Sequence, residues 1–209
     1  MSDAASMPVG LGFRAQRGGA VVVAVAAEGP RVLRSTFLAT AAEGDRLAFE
    51  PYYVAYEMAR GAGGEPSADI VAAVAEGRAR QQAMAAKALA DLIEELADAG
   101  SRPAIAALLV NRAGWIEDLL RHALSAPEHP AVMEGLAVRE ALRAAFASCG
   151  LRSVEMDEKT LRETATLKLP RSAGEIDATL ATLGASVGRP WRREQKDACL
   201  AAWVAAAGL

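Results

Sequence analysis

The eight residues from Ala20 through Val21, Val22, Val23, Ala24, Val25 and Ala26 to Ala27 are uninterruptedly apolar. Gly18 and Gly19 close the run on one side, and Glu28, Gly29 and Pro30 close it on the other. A run this short cannot cross a bilayer, and its near-continuous apolarity suits a strand covered on both faces. Residues 9–13 before it and 31–40 after it also read as strands, the latter with Val32, Phe37 and Leu38 as apolar members. Two tight connections in succession require an antiparallel meander.

Residues 40–67 form a polar, glycine-containing connection that holds Phe49, Glu50, Pro51, Tyr52 and Tyr53 and ends in a glycine-rich loop. Ser67 then offers an N-cap to a long alanine-rich helix, in which Ile70, Val74, Leu89, Leu92, Ile93 and Leu96 recur at helical intervals until Gly100. After Pro103 the short apolar run 104–110 follows that helix, so a buried strand parallel to the first is the economical assignment. A short helix over 115–124 and a longer one over 129–148 come next, the latter with Pro130 in its first turn. A fifth strand covers 151–156. Asp157 is expected to cap a short helix, Ser172 and Glu175 form a capping box for another, and the last begins near Trp191. The expected architecture is α/β: a five-stranded mixed sheet, three strands antiparallel and two parallel, flanked by helices in one domain over 1–209, with 1–8 flexible.

The chain has 209 residues, and 23 Lys and Arg against 26 Asp and Glu leave a net charge of −3, which excludes a globally basic nucleic-acid coat protein. A hydrophobic content of 52% excludes a disordered chain and suffices for a core without disulfide staples. Cys149 and Cys199 have no neighbouring Cys or His at ligand spacing, so they read as buried free thiols. The N-terminus lacks the basic start and apolar run of a signal peptide and no segment is long enough to span a membrane, so the chain is expected in the cytoplasm.

Gly10, Leu11, Gly12, Phe13 and Arg14, followed by a turn and the strand 20–26, resemble the first hairpin of the ribonuclease H-like superfamily. Lys196, Asp197 and Ala198, leading into Cys199 and Trp203, resemble the Asp-Ala start of its last helix. Within that superfamily the element order is similar to the branch of the Holliday-junction resolvase RuvC and its relatives. The resemblance implies clustered carboxylates with Mg²⁺ or Mn²⁺, nucleic acid as partner, and a central aspartate on the first strand. Arg14 stands at that position here, and the end of the fourth strand, where the resolvases supply a glutamate, reads Val110, Asn111, Arg112. A guanidinium stays protonated and repels a cation.

Two readings of the site follow. In the first, Glu50, Glu57, Glu134 and Asp197 form a rearranged carboxylate set, with Glu134 and Asp197 as metal ligands. In the second, Arg14 occupies the cation position and the domain is a catalytically inactive module that binds nucleic acid, a nucleotide or a protein partner. A purely structural or assembly module, compatible with the alanine-rich helix 67–99 and with a homodimer, is the remaining alternative. Asp197 also suits a solvated first-turn residue, and Glu134 a surface glutamate. Arg14 and Arg17 beside the Gly18 turn, together with Asn111, His129, Trp191 and Arg193, are the candidate substrate contacts: guanidinium groups for phosphate, and an indole on which a base could stack. Tyr52, Tyr53 and Tyr56 suit either a packed lid or a contact surface.

Overall fold

The alternation of side chains along the valine run explains the layering. Val21, Val23 and Val25 point into one apolar core and Val22 and Ala24 into another, so the strand is buried on both faces. The computed structural model of the chain describes residues 7–60, 65–111, 115–125 and 130–209. Its strands are β1 (Met7–Gln16), β2 (Gly19–Ala26), β3 (Val32–Ala39), β4 (Ser101–Val110) and β5 (Ser153–Asp157). They form one five-stranded sheet in the order β3-β2-β1-β4-β5. The β1–β2 and β2–β3 pairs are antiparallel, and β1–β4 and β4–β5 are parallel.

The described helices are α1 (Arg46–Phe49), α2 (Pro51–Met58), α3 (Ala68–Asp98), α4 (Leu119–Ser125), α5 (Pro130–Ser148), α6 (Leu161–Lys168), α7 (Ala173–Val187) and α8 (Arg193–Ala206). On one face α3 and α5 bring Leu89, Leu92, Leu142 and Phe146 onto Leu11, Phe13 and Leu108. On the other, α6, α7 and α8 close over Val21, Val23, Ile105 and Leu109. A third cluster, including Tyr52, Ile70, Leu119 and Met133, joins α2 and α4 to the starts of α3 and α5. Among the described residues no helix is long and apolar enough to cross a membrane. Both cysteines are free, Cys199 buried and Cys149 half-buried.

Three expectations are corrected. The connection after β3 is helical over α1 and α2 rather than a loop. Asp45 accepts the Ala48 N–H at 3.1 Å to start α1, and Pro51 takes the first helical position of α2. Asp157 ends β5 and accepts the Lys159 N–H at 2.8 Å in a turn, while Thr160 occupies the N-cap position of α6. β4 starts earlier than Pro103, at Ser101. The sheet accommodates Pro103 because β5 pairs only from Ala106 onward and a register shift lies opposite, at Val9 and Gly10. The Ser172–Glu175 capping box forms as expected.

One contact fixes the position of the site. Along β1, Val9, Leu11 and Phe13 face the α3/α5 core, so Gly10 and Gly12 face α8. A Cβ on Gly12 would lie 1.9 Å from the Ala198 carbonyl oxygen, and one on Gly10 would lie 2.4 Å from that of Ala202. Only glycine lets the α8 backbone lie this close to β1. Arg14, two residues beyond Gly12, continues the same face and meets the first turns of α8.

Candidate functional site

The Arg14 guanidinium is surrounded by carboxylates from two elements. Its Nη2 lies 3.5 Å from Glu158 just after β5, its Nη1 3.6 Å from Glu194, and its Nε 4.0 Å from Asp197, the last two on α8. Two further guanidinium groups complete the cluster. Arg139, on α5 and only 5% exposed, lies 3.7 Å from the other Glu158 oxygen, and Arg193 lies 3.4 Å from Asp197. Arg139 also donates to the Asn111 side-chain oxygen at 2.8 Å, which ties the end of β4 into the network. Three arginines thus face three acids, and the charges balance.

A cleft of about 400 Å³ opens beside this cluster at the ends of β1 and β4, against the start of α5. Arg14, Arg17 and Arg139 line it with a single acid, Glu158, and Asn111. This is the crevice beyond the carboxyl ends of neighbouring parallel strands, where open α/β sheets hold their ligands. The Nε groups of Arg14 and Arg139 are buried without a hydrogen-bond partner.

The remaining acids named from the sequence lie in a second group around α1 and α2. Arg46 binds Glu50 at 2.8 Å and Glu57 at 2.9 Å, and Glu50 also meets Arg17 at 3.3 Å. Glu134, 1% exposed on α5, accepts the backbone N–H groups of Tyr52 at 3.0 Å and Tyr53 at 2.9 Å through one oxygen. It thereby caps the positive end of α2, where the N-cap residue Glu50 makes no side-chain cap of its own. Its other oxygen is buried without a partner.

The divalent pair that the resemblance implies does not fit these residues. Among the described residues no three His, Cys, Asp or Glu side chains are arranged to hold a metal ion. Glu134 is turned to the α2 backbone, and the acids nearest Asp197 close on Arg14. Trp191 is held structurally: its indole N–H donates to the Leu180 carbonyl at 3.0 Å, and its ring lies so close on α7 that a Cβ at Gly184 would come within 2.1 Å of it. Arg17 stacks 5.3 Å from the Phe49 ring centroid, and Tyr52 is buried in the third cluster. His129 and Arg112 lie outside the described residues.

Glu158, Arg139 and Glu194 are not among the residues that the sequence singles out. The i, i+3 spacing of Glu194 and Asp197 places both on one helix face and could have paired them. Glu158 follows the end of a parallel strand beside β4, a position that gains meaning only once the sheet order is known.

Burial pushes the Glu134 carboxyl up to about 8, against the opposing pull of the Tyr53 and Tyr52 N–H groups. The folded chain therefore keeps a proton that the unfolded chain releases at the ordinary carboxylate value of 4.5. Stability is greatest below that value and falls as pH rises toward 8. Chemical denaturation at acidic, neutral and mildly alkaline pH is expected to show a decline of a few kcal/mol, and Glu134→Gln is expected to flatten it. Equal slopes in parent and variant would show that Glu134 does not carry the effect.

The sheet order β3-β2-β1-β4-β5 and the helix laid against β1 are those of a ribonuclease H-like fold. The chain is similar to two solved structures of RuvC from Thermus thermophilus. One, described as RuvC in complex with Holliday junction substrate, is 11% identical with a TM-score of 0.52, and the match covers 94% of this chain and 90% of that one. The other is 14% identical with a TM-score of 0.50 and covers 94% and 92%. The likeness is one of fold. No family model and no curated protein matches the chain.

Proposed function

We propose that this chain is a ribonuclease H-like domain that binds nucleic acid through its backbone and does not cut it. One observation carries the reading: the Arg14 guanidinium lies among Glu158, Glu194 and Asp197, where the resemblance would put a divalent cation. A dication held about 4 Å from that guanidinium would meet a repulsion of about 8 kcal/mol at an effective dielectric constant near 20. The carboxylates that would offset this are already paired with arginine. Two-metal hydrolysis needs cations on both the attacking and the leaving oxygen, and this arrangement opposes the first of them.

The adjoining cleft supports the binding half of the reading. Arg14, Arg17 and Arg139 are each paired with a carboxylate, and their remaining N–H donors along the cleft suit a phosphodiester, whose oxygens accept paired donors. The nucleic acid held by one of the RuvC structures points to the same class of partner.

The test is cleavage and binding of branched, single-stranded and hybrid substrates with Mg²⁺ or Mn²⁺. The parent chain is expected to bind with an affinity that falls as salt rises and to leave the substrates intact, as are Glu134→Ala and Asp197→Ala. Metal-dependent cleavage that Asp197→Ala abolishes would overturn the non-cleaving half. A parent that binds none of the substrates would overturn the other half.

A further inference from the structure

The corner between α7 and α8 carries cations that the fold leaves uncompensated. Arg189, Arg192 and Lys196 line a concavity of about 680 Å³ beside Trp191 and Gly188, and its lining includes no acid. None of the three forms an ion pair among the described residues, whereas Arg14, Arg17, Arg46, Arg139 and Arg193 all do. The two acids closest to them in the chain are engaged elsewhere: Glu194 pairs with Arg14, and Asp197 with Arg14 and Arg193.

Packing does not account for these positions. Arg189 and Arg192 are exposed, and Lys196 is half-buried. Arg192 stands at the N-cap of α8, and a guanidinium has no acceptor with which to cap the first-turn N–H groups. Cations at this end of a helix are opposed by its dipole. An external anion relieves both the mutual repulsion and the dipole conflict. Through Pro190 and Arg192 the concavity continues into a second groove that reaches Gln16 of β1, where the one lining acid, Glu194, is paired with Arg14.

We propose that Arg189, Arg192 and Lys196 form a second backbone-phosphate contact, which extends a bound nucleic acid from the Arg14 cleft across the start of α8. The proposal rests on the nucleic-acid reading given above. It assigns the drawing of Glu194 and Asp197 toward Arg14 a second consequence, since the same pairing that closes the Arg14 cluster leaves this corner positive.

The experiment is fluorescence anisotropy of a labelled short DNA duplex with the full chain, over about 50 to 200 mM salt. Combining Arg189→Ala, Arg192→Ala and Lys196→Ala is expected to reduce the slope of log affinity against log salt by about 2 to 3 and to weaken binding at least about tenfold. Combining Arg189→Lys with Arg192→Lys is expected to keep the slope, because backbone phosphate is read here as charge. Lys196 of the parent is expected to be protected from acetylation by the duplex, a readout that does not depend on how any variant folds. A parent that binds while the alanine combination keeps its slope and Lys196 stays reactive would overturn this contact and leave the cleft reading standing. A parent that binds neither the duplex nor the branched, single-stranded and hybrid substrates would overturn both, and one that binds those substrates but not the duplex would overturn this contact alone.

Discussion

Gly12→Ala is expected to destabilise the chain by about 3 kcal/mol, the upper part of the range for overpacking a core, and to lower the melting temperature by roughly 6 to 12 °C. The added methyl group would sit 1.9 Å from the Ala198 carbonyl oxygen and 2.8 Å from the Ala202 nitrogen. Both atoms belong to the α8 backbone, so no side-chain rotation relieves the clash, and the helix must move off the sheet. That movement carries Glu194 and Asp197 away from Arg14. Gly174→Ala is the matched control, because a Cβ at that helical position meets nothing within 4 Å. Its melting temperature should equal or slightly exceed the parent's. Scanning calorimetry separates the two, and equal melting temperatures for both variants would contradict the close approach of β1 and α8.

Arg14→Ala is expected to remove about 2 to 3 kcal/mol. The loss of one partner from a buried charge pair typically costs about 3 to 5 kcal/mol. The smaller figure follows from partial exposure: the Arg14 side chain is 20% exposed and that of Glu194 35%. Without Arg14, Glu194 has no ion pair among the described residues, while Glu158 keeps Arg139 and Asp197 keeps Arg193. Lys87→Ala provides the comparison. Its pair with Asp91 is 2.7 Å long but lies on the surface, at 70% and 60% exposure, and its removal should cost under about 0.5 kcal/mol. Urea denaturation of the two variants distinguishes a structural cluster from an incidental set of surface charges. An Arg14→Ala loss no larger than that of Lys87→Ala would place this cluster in the second class.

The sheet was legible because its signals are local. The valine run, its two flanking turns, the Ser67 N-cap and the Ser172–Glu175 box each act within a few residues, and each appears in the structure where the sequence places it. α2 was not legible as a helix, although Pro51 in its first turn was a usable sign. Its cap comes from Glu134, 82 positions away, and its inward side is little more than Tyr52 and Ala55. No pattern within eight residues reports a cap supplied from another helix.

The site divides in the same way. Arg14 and Asp197 were accessible through the resemblance, the first at the position of the first-strand aspartate and the second in the Asp-Ala start of the last helix. Glu158 meets Arg14 across 144 positions, and Arg139 sits within an apolar helix with no sign that it reaches the end of β4. Glu50, Glu57 and Glu134 belong with one another by their place near α2, and sequence alone could not separate that group from the one around Arg14.

The most direct test of the central claim is thermal unfolding under Mn²⁺ titration, with the parent beside Arg14→Asp. If the guanidinium stands in for a cation, the parent midpoint should not move with Mn²⁺. Arg14→Asp, which would face Glu158, Glu194 and Asp197 with a fourth carboxylate, should be less stable than the parent without metal. It should regain about 2.7 kcal/mol when free Mn²⁺ reaches one hundred times its dissociation constant. A parent stabilised by Mn²⁺ in a manner that Asp197→Ala abolishes, or an Arg14→Asp chain indifferent to the ion, would contradict the account.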